Sequence, residues 1–291
     1  METYVQLIVL GLLHGGIYAL AAFGLSIVFG VSGVLNLAHG EFLMLGGMGV
    51  FALRSLLGGN PFVLALLVLP AAFVAGYVFE LGLIRPIAAR DERSRVASAV
   101  LVTLGAALFI EDATAFVLRL SGTDYDVSVP YTLPSLFVGD IVISYLRLLV
   151  LVLITLLTLA LGYYLKVTYT GMALRATTQN RRGALLTGVD TGRLSSITFG
   201  IGAVLAAAAG AFEVVLASVD PSLGLPVTLK YLCIIVLGGL GSLMGALVGG
   251  AILGLTEQFV GFYSPAWGQT AAFFILVVVL LVRPRGLFGT Y

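Results

Sequence analysis

Residues 34–50 read VLNLAHGEFLMLGGMGV. Asn36, His39 and Glu41 place an amide, an imidazole and a carboxylate within six residues. Such a trio can cap a helix, form internal hydrogen bonds, or line a wet path for a polar solute. Glu111, Asp112, Glu213, Glu257 and Gln258 are also set within or beside apolar runs. Charges and amides inside a bilayer are costly, so they face a bundle interior or a water-filled cavity. Metal chemistry does not fit, because two histidines, His14 and His39, and the single Cys233 build neither a metal cluster nor a disulfide framework. No His/Glu metal pair and no supported Ser/His arrangement points to an intramembrane enzyme. No G-x-x-x-x-G-K-[ST] loop is present either, and the two lysines, Lys166 and Lys230, have no such context. ATP binding by that device is therefore excluded.

The elements that hold these groups are apolar and long. The chain has 291 residues, 60% of them hydrophobic and 10% charged. Soluble domains carry roughly 25% charged residues. With a mean hydropathy of +1.12, the chain reads as a polytopic membrane protein. A net charge of +1 gives no footing for nucleic acid. METYVQLIVL has no basic n-region, so the first span is expected to stay in the protein. Helical spans are expected over about 4–30, 62–84, 96–118, 145–165, 194–218 and 266–282. Two further segments, about 35–57 and 229–260, are interrupted by glycine, and the second is expected to split near GGLGS at 238–242. The expected fold is all-α, with about eight to ten transmembrane or re-entrant helices in a single domain over 1–291. The runs are too long, and alternate too little, for membrane strands.

Charge orients the spans. Loop 85–95 holds four arginines, segment 166–193 holds Lys166, Arg175, Arg181, Arg182 and Arg193, and the tail holds Arg283 and Arg285. Together these are 11 of the 15 basic residues, so the three regions are expected to be cytoplasmic. The N-terminus and the loops near 119–143 and 219–228 are then external. Arg119, Asp124, Asp126, Arg147 and Lys230 become candidates for docking an external partner, or plain surface charges. Glycines and alanines recur at a spacing of four, as in Gly241, Gly245 and Gly249, in Gly250 and Gly254, and in Gly202, Ala206 and Gly210. That spacing lets two helix backbones approach closely. Interrupted helices in both halves of a chain also mark transport sites. Their freed backbone groups are tolerated only in a cavity or in the protein interior. Asn36, His39, Glu41, Gly46 and Gly47 in the first half, with Gly238, Gly239 and Gly241 in the second, are the candidate pathway walls. In the alternative reading Asn36 caps the following helix, Glu41 sits in its first turns, and His39 is a packing residue.

The stretch FGVSGVLNLAHGEFLMLGGM (29–48) closely resembles the signature of LivH-type permeases, the membrane subunits of bacterial ABC importers for branched-chain amino acids. Residues 171–212, LGGLGSLMGALVGGAILGLTE (237–257) and RPRGLFG (283–289) resemble the same family in the same order. The resemblance implies a second LivM-like permease, a periplasmic solute-binding protein, and two cytoplasmic ATPase subunits that bind ATP and magnesium, with no cofactor in this chain. It implies the bacterial inner membrane and the lipid bilayer as setting. It also implies that the loop at about 166–193 couples to the ATPase through Gln179, Asn180, Arg181, Arg182, Ala184, Leu185 and Gly188. Thr177–Leu186 is expected to form a short helix that stops near Gly188. Family members often carry acidic residues just before the Ala-Leu pair, where this chain has Asn180, Arg181 and Arg182. Otherwise the loop is a basic surface near anionic headgroups. Urea and amide permeases look similar. A stand-alone channel or an ion-coupled transporter also fits interrupted helices.

Overall fold

The computed structural model describes residues 2–88, 92–138, 141–239, 241–283 and 286–288. Arg90, Leu240 and Arg285 lie outside them. Helix α1 (Glu2–Ser32) ends at Gly33, whose φ of 67° turns the chain out of the helix. α2 spans His39–Leu57 and α3 spans Pro61–Phe79. Asn60 opens α3 by accepting the Phe62 N–H at 2.9 Å, and Pro61 takes the first position, where its missing N–H costs nothing. A π-helical turn (Glu80–Ile84) and the short α4 (Arg85–Ala88) continue it. α5 covers Glu92–Ser121. Next comes an antiparallel hairpin of β1 (Ser135–Val138) and β2 (Ile141–Ser144), with Ser135 opposite Ser144. The remaining helices are α6 (Tyr145–Val167), α7 (Tyr169–Gln179), α8 (Arg181–Leu186), α9 (Thr191–Leu216), α10 (Gly224–Gly238), α11 (Leu243–Tyr263) and α12 (Pro265–Val282).

Among the described residues, nine helical stretches are long and apolar enough to cross a membrane. The protein is an all-α, multi-pass membrane protein, as its composition implies. The hairpin is an addition that sequence reading did not anticipate, in a connecting loop whose strands are only four residues each. The expected break at 238–242 is present. Gly239 and Gly241 adopt φ of 98° and 80°, and Ser242 opens α11 by accepting the Gly245 N–H at 3.0 Å. The first interrupted segment differs from expectation. α2 is continuous from His39 to Leu57, so Gly46, Gly47 and Gly49 do not break it.

α9 organises the core. Most of its residues from Ser195 to Val215 are buried, and it packs against α1, α2 and α3. Its small residues let three helices in at once. Gly24 of α1 meets Gly202, Gly46 and Gly47 of α2 meet Ala207 and Gly210, and Gly76 of α3 meets Ala203 and the Phe199 carbonyl. The second close crossing joins α1 to α11, antiparallel, where Gly11 and Gly15 oppose Gly254 and Gly250. Tight backbone approach of this kind supplies the dispersion energy that holds membrane helices together. Large apolar side chains on α3, α5, α6 and α12 face outward, among them Leu66, Phe109, Leu156 and Phe274.

Candidate functional site

The polar trio stands at the start of α2, deep in the bundle. Asn36, His39 and Glu41 are all buried. Asn36 does not cap α2 directly. Its Oδ1 accepts the Ala38 N–H at 3.1 Å and closes the turn before the helix. The N-cap residue is Ala38, which has no side chain to offer. The exposed amides of a helix start need partners, and tertiary contacts provide one. Thr228 of α10 accepts the Gly40 N–H at 2.7 Å. His39 donates from Nε2 to the Ala21 carbonyl of α1 at 3.0 Å. The Glu41 carboxylate lies over Gly224, the first residue of α10, where an added Cβ would meet Oε1 at 2.1 Å. Neither of its oxygens has a hydrogen-bond partner among the described residues. It therefore sits in the first turn of α2 and against the first residue of α10. The positive ends of two helix dipoles favour an anion there.

A second polar cluster lies between α1, α9, α10 and α11. Lys230 Nζ is 3.0 Å from Glu257 Oε1, an ion-pair contact, and both side chains are about 10% exposed. Tyr18 donates to Glu257 Oε2 at 2.8 Å, and its ring carries Lys230 Nζ at 5.3 Å from the centroid. His14 Nδ1 is 3.0 Å from the Leu10 carbonyl oxygen and 3.2 Å from the Gln258 side-chain nitrogen. Glu213 lies within electrostatic reach of His14, Lys230 and Glu257. Tyr231 joins this cluster to the trio, its ring edge-on to His39 at 6.3 Å. Sequence reading placed Lys230 among external docking charges. The structure corrects this: Lys230 is buried and paired. The signal was available, because a lone lysine inside LPVTLKYLCIIVLG needs a counter-ion and Glu257 is similarly isolated. Glu80, buried at the π-turn of α3, was also missed. Ser196 of α9 donates to its carboxylate, and Arg85 Nε approaches it at 3.9 Å. On α5, Glu111 is half-buried and within electrostatic reach of Glu41, while Asp112 is exposed.

Of the glycines picked out as walls, Gly46 also faces a cleft between α2 and α3, while Gly238 packs against Gly245. Gly241 opens onto a larger cleft of about 1040 Å³. Arg175, Thr178 and Gln179 of α7 line the same cleft, with Lys166 of α6. The structure thus brings a pathway candidate and a coupling candidate to one cavity.

The segment expected as one helix over Thr177–Leu186 is two. Asn180, at φ −153° and ψ 96°, ends α7 and opens α8, so Thr177–Gln179 belong to α7. Its Oδ1 accepts the Gly183 N–H at 2.9 Å, an N-cap bond that rewards the break. Gly188 stops α8 at φ 84°. The Gly188 N–H donates to Leu185 O at 3.1 Å and the Val189 N–H to Ala184 O at 3.0 Å, a Schellman ending. Ala184 is buried, while Leu185 and Leu186 are exposed, Leu186 at 89%. Burial, then the nearby Arg95 charge, holds the Arg181 guanidinium below its ordinary pKa. Replacing Asn180 with Ala is expected to cost about 1 kcal/mol of local stability. It should appear as faster hydrogen exchange at the amides of 183–186, and Asn180→Asp should preserve protection.

A family profile described as "Branched-chain amino acid transport system / permease component" matches residues 7–282. The chain is 32% identical over 302 residues to the high-affinity branched-chain amino acid transport system permease protein BraD of Pseudomonas aeruginosa, covering 98% of this chain and 96% of that one. It is 32% identical over 298 residues to LivH of Escherichia coli K12, covering 96% and 93%. PsaBC from Streptococcus pneumoniae, solved in complex with Fab, aligns over 95% of this chain and 91% of its own, with a TM-score of 0.48 and 13% identity. A profile match over residues 7–282 and 32% identity across nearly the full length of both chains show that the chain belongs to the branched-chain amino acid transport permease family.

Proposed function

We propose that this chain is the membrane-spanning permease of a binding-protein-dependent ABC importer for leucine, isoleucine and valine. It forms the translocation path with a second, LivM-like permease. Two cytoplasmic ATPases bind ATP and magnesium, and a periplasmic protein delivers the solute. The membrane is the bacterial inner membrane in this reading, and the Lys/Arg bias of the loops supports a cytoplasmic side for segment 166–193 and the Arg283 end. An odd number of crossings then leaves the N-terminus periplasmic, which agrees with nine spans among the described residues.

The observation that carries this reading is α8. It is a short helix, stopped at both ends, with an apolar tip of Leu185 and Leu186 exposed within the most polar part of the chain. An exposed apolar tip of that size suits a groove on a partner subunit. A push on α8 has two routes inward. Through Asn180 it reaches α7 and the cleft shared with Gly241. Through Val189 and Asp190, whose Oδ1 accepts the Arg193 N–H at 2.9 Å, it reaches the start of the central helix α9. Gln179, Arg181, Arg182 and Gly188 complete this coupling segment. The trio of Asn36, His39 and Glu41 stands behind the route, where His39 bonds the start of α2 to α1 and Glu41 lies against the first residue of α10. Gly46, Gly47, Gly238 and Gly239 let the walls around it close.

The test is purification in mild detergent followed by reconstitution into vesicles. A second permease and ATPases should co-purify with the tagged chain. ATP-driven leucine uptake should fall about tenfold or more in Leu186→Asp, as for loss of an interface hot spot. Uptake by this chain alone, without ATPases, would overturn the reading. Competition by urea in place of leucine would move the substrate to short amides.

A further inference from the structure

Glu80 is a buried carboxylate in the stretch Pro61–Ile87, one of those long and apolar enough to cross a membrane. Ser196 of α9 donates to its Oε2, Arg85 Nε lies 3.9 Å from the same oxygen, and Arg85 Nη2 donates to Ser196 Oγ at 3.3 Å. The backbone is shaped for this triangle. In an α-helix of 3.6 residues per turn, residues five apart point about 140° away from each other. Here the Arg85 N–H donates to the Glu80 carbonyl, an i to i+5 bond that widens the turn and brings residue 85 over residue 80. Stability alone does not account for the arrangement, because a well-packed apolar pair serves a buried position as well or better. The best-attested use of buried ionic groups is to fix the register of one element against another.

We propose that Glu80, Arg85 and Ser196 form a clasp that holds α3 in register with the start of α9, so that movement of α8 becomes movement of the path walls. This deepens the import function proposed above and rests on it. All three are positioning residues. Ser196 follows Asp190, the N-cap through which α8 reaches α9, by less than two helical turns. Beyond the clasp, Gly76 of α3 lies so close to α9 that an added Cβ would sit 2.5 Å from the Phe199 carbonyl oxygen. Phe79 stacks on Phe199 at 6.3 Å and meets Phe42 of α2 edge-on at 5.5 Å, next in sequence to Glu41. The clasp can let go without stranding its serine. The Ser196 hydroxyl has one proton and a second acceptor, the Gly192 carbonyl of its own helix at 3.4 Å. Arg85 is half-exposed and can turn to water, while Glu80 is buried and has to move with α3.

The complete importer in vesicles provides the test, and the readout is leucine moved per ATP hydrolysed. The double variant Glu80→Leu with Arg85→Leu removes both charges and leaves Ser196 the Gly192 carbonyl. Its unfolding midpoint and its recovery of partner subunits should match the wild type. Leucine moved per ATP should fall about tenfold or more, the worth of a hydrogen bond to a charged group. Ser196→Ala should lower the same ratio by about threefold to tenfold. Arg85→Lys keeps the charge but loses the planar fork that reaches both partners, and should fall between the wild type and the double variant. A wild-type ratio in the double variant would overturn the proposal and leave the import function standing. If the double variant does not assemble, Ser196→Ala decides, and a wild-type ratio there overturns the clasp. Uptake and ATP hydrolysis that fall in equal measure would assign the three residues to assembly and overturn it too. A wild-type importer without ATP-driven leucine uptake would overturn the import function and the clasp together.

Discussion

Replacing Lys230 with Met is expected to cost the folded chain about 3–5 kcal/mol, because it strands a buried carboxylate. Lys230 is the cation 3.0 Å from Glu257, and both side chains are about 10% exposed. Without it, Glu257 keeps only the Tyr18 hydroxyl, and Glu213 loses the Lys230 charge within its electrostatic reach. Two carboxylates would then share a region walled by α1, α9, α10 and α11. The double variant Lys230→Met with Glu257→Gln removes both charges, and most of the lost stability should return. Unfolding midpoints in detergent measure all three proteins. If the double variant is as unstable as the single, Lys230 stabilises through the packing of its stem and the ion pair is not the cause. Glu257→Gln alone should fall between them, since Lys230 keeps the ring of Tyr18.

Gly210→Ala should be the most damaging of the small substitutions. An added Cβ would sit 1.9 Å from the Leu43 carbonyl oxygen and 3.1 Å from the Gly47 nitrogen. Both are backbone atoms of α2, so no side chain can swing aside. The helices must part, at a cost of about 1–3 kcal/mol or more. Gly105→Ala is the control. Nothing lies within 4 Å of a Cβ there, and Ala is the better helix former, so no loss is expected. The same unfolding assay compares the two. Equal midpoints would mean that α2 and α9 do not approach as closely as the structure has them.

These two experiments bear on how the trio is understood. Its glycines suggested a weakened helix lining a path. In the structure the glycines are contact surfaces, Gly46 against Ala207 and Gly47 against Gly210, and α2 runs unbroken. Asn36, His39 and Glu41 then hold the start of that helix through a turn, a carbonyl of α1 and the first residue of α10. Of the three, Glu41 keeps both carboxylate oxygens buried against Gly224 without a hydrogen-bond partner among the described residues.

The sequence by itself determined the solvent, the class and much of the outline. A chain with 60% hydrophobic residues and 10% charged cannot cover itself for water, and apolar runs of helical length permit only an all-α membrane bundle. The break at 238–242 was readable because Gly-Gly-Leu-Gly offers the positive φ that other residues avoid. The small-residue spacing was readable as packing, since one helix face repeats every four residues. Partners across the bundle were not readable. That Lys230 finds Glu257, that Thr228 receives the Gly40 amide 188 residues away, and that Glu41 rests on Gly224 depend on which helices become neighbours. Nor did periodicity show that the polar segment splits at Asn180, because its propensity for one helix or two is nearly balanced and a single N-cap bond tips it. Local sequence dictates how a segment satisfies its own backbone. Only the tertiary structure decides which buried charges meet, because that choice is set by helix contacts between residues far apart in the chain.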